Sequence, residues 1–148
     1  MIIEVDDIEI NVIKRGAGDY FSLTNMIKAG LRNLRVSDWL RTKRTLEMLF
    51  AWEYENNKNF NCGEFAAIMG WMNGPGSAYF KLGVKNWIER TMAIGLIASR
   101  GRYGGTYSHR DIALEFAGWV DPLFRQRLID VTGRHTDAES KASKYKDA

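Results

Sequence analysis

The chain is poor in the residues from which covalent cross-links and metal sites are built. Its 148 residues include one cysteine, Cys62, and two histidines, His109 and His135. A single thiol excludes an internal disulfide, so nothing calls for an oxidising compartment. His135 falls in the polar C-terminal stretch, and one cysteine with one remaining histidine is short of a zinc site's ligand count. No apolar run approaches the roughly 20 residues of a membrane span, and no basic-then-apolar signal segment opens the chain. Net charge is also scarce: at +3 it names no partner by itself. These absences read as a soluble, cytoplasmic domain with no membrane association and no cofactor or metal. What is present is ordinary: 45% hydrophobic, 26% charged and 12% aromatic residues, with five tryptophans. That composition excludes a disordered or fibrous chain and is enough for one domain with a substantial core.

The small net charge conceals segregation. Residues 28–44 carry six cations (Lys28, Arg32, Arg35, Arg41, Lys43, Arg44) against Asp38 alone, and residues 81–110 carry six (Lys81, Lys85, Arg90, Arg100, Arg102, Arg110) against Glu89 alone. Each block is thus +5, while 1–27 and 45–80 are each −3. If folding brings the two blocks together, the result is the positive face expected of a nucleic-acid partner. The alternative is two solvated helix faces pointing apart.

Hydropathy periodicity predicts an α+β fold of five or six helices around a small antiparallel sheet. Ile8, Ile10 and Val12 alternate with Glu9 and Asn11 as a half-buried strand does, and Tyr20-Phe21 begins a second strand after a glycine turn. A short helix is expected over Leu23–Gly30. A longer one, capped by Ser37, is expected from Trp39 to about Tyr54, with Arg41 and Arg44 away from its apolar stripe. Asn61 with Glu64 reads as a capping box for a third helix burying Phe65, Ile68 and Met69. Residues 84–94 read as a helix ended by Gly95, with Val84, Trp87, Ile88, Thr91 and Ile94 inward and Lys85, Asn86, Glu89 and Arg90 outward. A hairpin over Leu96–Tyr107 and a helix capped by Ser108 follow, then a last helix from Asp121-Pro122 to about Thr132. Residues 1–132 form one domain on this reading, and 133–148 a polar tail or linker.

Catalytic groups are scarce. Ser108, His109 and Asp111 have the residue types of a triad, but adjacent residues on one chain rarely aim at each other as nucleophile and base, and helix capping explains their spacing better. Glu47, Glu53 and Glu55 read as a solvated helix face. The stretch Arg100–Arg110 is different, combining guanidinium groups, aromatic rings, hydroxyls and glycines in one predicted turn. Glycines admit close approach to a phosphate, and arginine reaches phosphate or guanine. A helix followed by such a basic hairpin makes a wing-like surface suited to DNA.

At these residues the sequence resembles a KilA-N domain, a family of phage, prophage and large DNA-virus proteins. The most specific stretch is Gly101-Arg102-Tyr103-Gly104-Gly105-Thr106-Tyr107-Ser108-His109, followed by Asp111-Ile112-Ala113 and Phe116-Ala117-Gly118-Trp119. Further matches are Pro122, Phe124 and Leu128, Tyr20-Phe21-Ser22-Leu23-Thr24, Asp38-Trp39-Leu40-Arg41, and Trp87-Ile88-Glu89. The resemblance covers roughly residues 8–130; Ser108 departs from it, standing where alanine is more usual. It implies a regulatory domain that binds double-stranded DNA without catalysis and is distantly similar to the winged-helix APSES domain of fungal transcription factors. It implicates Arg100, Arg102, Tyr103, Gly105 and Thr106 in the hairpin, and Lys85, Asn86 and Arg90 on the preceding helix. His109, Arg110, Arg41 and Arg44 complete the candidate contacts from the two basic blocks. Many full-length relatives carry a separate C-terminal domain, and both that and a homo-oligomer are left open. The rival readings are a protein-interaction module of a phage immunity or antirepressor system, exposing an apolar patch near Trp71 and Tyr79, and a nuclease with clustered carboxylates.

Overall fold

A computed structural model describes residues 1–16, 18–30, 33–101 and 104–133. The fold is α+β, with seven α-helical segments and a five-stranded antiparallel sheet among these residues. Strand β1 (Ile2–Val5) turns through Asp6 and Asp7 into β2 (Ile8–Arg15). Both aspartates take positive φ (53° and 67°), as a tight two-residue hairpin turn requires. This first strand is not foreshadowed by any alternation in the sequence. After β3 (Gly18–Ser22) the chain leaves the sheet and returns only with β4 (Leu96–Ser99) and β5 (Gly105–His109). Strand β5 inserts beside β3, pairing His109 with Tyr20 and Ser108 with Phe21. The order is therefore β1-β2-β3-β5-β4, with β1 and β4 at the edges.

The helical expectations hold in type and shift in detail. Ser22 caps α1 (Leu23–Met26), which gives way to a 3₁₀ turn at Ile27–Ala29 rather than continuing to Gly30. The single helix expected over 39–54 is two: α2 (Val36–Leu40) and α3 (Lys43–Asn56). Thr42 breaks it by adopting an extended conformation and accepting a hydrogen bond from the Thr45 N–H at 3.3 Å. Thr42, not Ser37, is the cap of the long helix, and Ser37 lies inside α2. Asn61 caps α4 (Cys62–Asn73) by accepting from the Glu64 N–H. The reciprocal half of the expected box is absent, because the Asn61 N–H donates to the Thr91 carbonyl. Helix α5 (Val84–Thr91) is shorter than 84–94, and α6 spans Arg110–Val120. Residues 122–133 form α7, whose first turn donates from the Leu123 N–H to Asp121 Oδ1, just before the helix.

The helices bury their apolar faces in one core. Trp39 and Phe116 meet edge to face at 5.0 Å. Leu46, Leu49, Trp87, Ile112, Phe124 and Leu128 are fully enclosed.

Candidate nucleic-acid interface

Helix α5 is amphipathic. Trp87 and Thr91 are buried, the Thr91 hydroxyl donating to the Trp87 carbonyl at 2.6 Å. Lys85, Asn86 and Glu89 stand in solvent. Lys85 lies 3.9 Å from Glu89 in an exposed pair, an arrangement that contributes a few tenths of a kcal/mol (about 0.3–0.5) and leaves the amine available. Arg90 is different: its Nε and Nη2 both lie 2.7 Å from Glu64 Oε2 at the start of α4. Its charge is satisfied within the fold, and it ties α5 to α4.

The turn joining α5 to β4 is held by side chains from elsewhere in the chain. Met92 ends the helix in the left-handed region (φ 59°), so the stop comes before Gly95. Glu53 of α3 is 1% exposed. Its carboxylate accepts from the Ile94 N–H at 2.8 and 3.1 Å and from the Gly95 N–H at 2.9 Å. The Asn57 amide donates both to Glu53 and to the Met92 carbonyl, while the Tyr20 hydroxyl donates to the Ile94 carbonyl at 2.7 Å. Burial, with the Glu53 charge adding to it, pushes the Tyr20 phenol above its ordinary pKa. Glu53 therefore does not belong to the solvated acidic face expected of it. Gly95 owes its identity to packing, since a Cβ there would meet Ile112 Cδ1 at 2.5 Å and the Trp52 ring at 3.0 Å.

The hairpin beyond is anchored at its base. Thr24 accepts from the Thr106 N–H at 3.0 Å, and a Cβ on Gly105 (φ +138°) would stand 2.6 Å from that hydroxyl. Gly105 and Thr106 thus serve the docking of β5 on α1. His109 caps α6: its Nδ1 accepts from the Asp111 N–H, and its ring lies against Trp52 and Tyr20. Asp111 Oδ2 also lies 3.6 Å from that nitrogen. Ser108, expected as the cap, is a buried strand residue. Arg110 Nε donates to Thr132 on α7. Arg102 and Tyr103 lie outside the described residues.

What the fold brings together is a groove of about 620 Å³ bounded by α5, the α5–β4 turn, β4 and the β2–β3 turn. Ile88, Ile94 and Ile97 line its apolar part, and among the described residues its charged lining is Arg15, Lys85 and Arg100 with Glu89. Arg15 was not among the sequence candidates. It lies in an acidic segment, and only the return of β4 and β5 to the N-terminal strands makes it a neighbour of α5. Arg44 lines a different recess, with Trp39, Glu115 and Trp119, while Arg41 is exposed at the α2–α3 break. At the Gly-Pro segment Trp71 is half-buried against Phe80, its indole donating to the Gly76 carbonyl, while Tyr79 is 82% exposed.

Among the described residues no group of three or more His, Cys, Asp or Glu is placed to hold a metal ion, and no helix is long and apolar enough to cross a membrane. No solved structure matches the chain. A segment of 85 residues is 36% identical to "Protein kilA" of Escherichia phage P1, covering 51% of this chain and 32% of that protein, so the match spans about a third of the relative's length. Residues 3–136 match the KilA-N domain model. The chain belongs to the KilA-N domain family.

Proposed function

We propose that this domain binds double-stranded DNA without catalysis, as the DNA-binding part of a phage-type regulatory protein. Membership in the family supports the class of partner. The observation that carries the site is the convergence of Arg15, Lys85 and Arg100 on one groove beside the exposed face of α5. On this reading the three cations, with Arg102, neutralise phosphates and fix the register of the duplex. Asn86, exposed on α5 and uncharged, faces base edges, and Tyr103 and the hairpin glycines admit the backbone. Arg90, Gly105, Thr106, His109 and Arg110 contribute as the frame that sets the angle between helix and hairpin. Residues 1–132 form the binding unit. The control of transcription would follow from occupancy of a DNA site.

The test is duplex binding by fluorescence anisotropy across a salt series. Lys85→Ala, Arg100→Ala and Arg102→Ala should each weaken binding about equally for all sequences and lower the log–log salt slope by about one. Asn86→Ala should change sequence preference with the slope intact. A parent protein without measurable duplex affinity at low salt overturns the reading.

A further inference from the structure

The two edges of the sheet are unlike and complementary. At one edge β1 exposes Met1 (64%) and Ile2 (58%) and pairs with β2 so that Glu4 stands directly opposite Glu9. Like charges at a directly opposed cross-strand pair destabilise a hairpin. Among the described residues neither carboxylate is in an ion pair, whereas Asp6 in the same hairpin is taken by Arg127 at 2.7 Å. At the other edge, among the described residues, β4 has no second strand neighbour and borders the groove, where Arg15 and Arg100 have no carboxylate in an ion pair and Lys85 has the loose approach of Glu89. One edge is an acidic hairpin with an apolar end, and the other is an apolar recess lined by three cations and by Glu89, which Lys85 approaches.

We propose that the groove receives a second copy of this chain through its β1–β2 hairpin. Glu4 and Glu9 of one copy meet Arg15, Lys85 and Arg100 of the other, and Ile2 covers the apolar surface at Ile94 and Ile97. Such contact relieves the opposed carboxylates and protects both open edges, which soluble proteins otherwise have to guard. A duplex draws on the same cations, so on the proposed function the second copy and DNA compete for this groove, and the second copy alone also covers the isoleucine-lined surface. The chain's own C-terminal stretch fits less well. Residues 134–148 carry four cations against three acids, and alanine and one tyrosine are their only apolar residues, so they supply neither the charge nor the apolar side chain.

Sedimentation velocity without nucleic acid tests this, so self-association and duplex binding can fail separately. The parent should associate with rising concentration, less so at high salt. Arg15→Glu with Arg100→Glu, and separately Glu4→Lys with Glu9→Lys, should each leave monomers. Their equimolar mixture should associate again, because the lysine edge of one fits the glutamate groove of the other and the reverse contact is native. Glu4→Gln with Glu9→Gln should unfold at a higher temperature than the parent monomer yet associate less, a pairing that a purely structural role for the glutamates would not give. A parent that stays monomeric at low salt up to its solubility limit, a charge-reversed set that associates alone as the parent does, or a mixture that fails to associate overturns the proposal.

Discussion

Tyr20 and Glu53 together hold the turn between α5 and β4, and the burial of Tyr20 makes the fold sensitive to alkaline pH. Burial and the nearby carboxylate disfavour the phenolate, so the folded-state pKa of Tyr20 lies above that of the unfolded chain. The neutral phenol's contribution is complete below the unfolded pKa, near 10, and is lost as pH rises through the folded value. Tyr20→Phe should cost about 1 kcal/mol at neutral pH through the lost donor to the Ile94 carbonyl, and it should flatten the alkaline limb of stability measured by denaturant unfolding. An unchanged alkaline limb would mean that another group controls it. The role of Glu53 was not legible in the sequence. Its neighbours Glu47 and Glu55 are exposed as expected, but the donors to Glu53 are backbone N–H groups 41 and 42 residues away, and no spacing rule reaches that far. His109 was half legible: capping was the right explanation for the Ser108–Asp111 cluster, assigned one residue early.

At the scale of elements, the stop of α5 is the strained point. Met92 takes a left-handed conformation, which costs a non-glycine residue about 1–2 kcal/mol, and glycine is the usual choice there. Its side chain is 58% exposed, so little apolar burial offsets that cost. Met92→Gly should therefore stabilise the domain by about 1 kcal/mol, visible as a rise of a few degrees in Tm. A fall would show that the methionine side chain is packed in solution. Glycine 95, three residues on, drew the expected helix end to itself because glycine signals termination on a sequence. Here it answers a packing demand from Ile112 and Trp52. The break between α2 and α3 was hidden for the converse reason. A helix without Gly or Pro reads as continuous, yet a threonine hydroxyl that satisfies its own N-terminal turn is enough to start a new one. Strand β1 escaped because consecutive isoleucines mask a period of two, and Asp-Asp is an uncommon tight turn.

At the scale of the molecule, counting charges in blocks overestimates the free charge of residues 81–110 and passes over Arg15. Arg90 and Arg110, from the second block, are engaged with Glu64 and Thr132, while Arg15 joins the groove from a segment of net negative charge. Among the described residues no cation of the first block lines this groove, and Arg44 lines its own recess beside Glu115 and Trp119. Replacing Arg41 and Arg44 with alanine should accordingly leave the duplex salt slope at the parent value. A drop of about two in that slope would move the contact surface to the start of α3.

The anchoring of the hairpin has a consequence for how such a domain can change. Glu53, Tyr20 and Thr24 all lie outside the segment they hold, and their bonds land at residues 94–95 and 106. Among the described residues of the loop, the backbone hydrogen bond is internal, from Gly104 to Gly101. On the proposed function, grafting another loop between residues 99 and 105 would rewrite recognition while these three anchoring contacts stay in place. The proposed site would then be a fixed mount with an exchangeable tip.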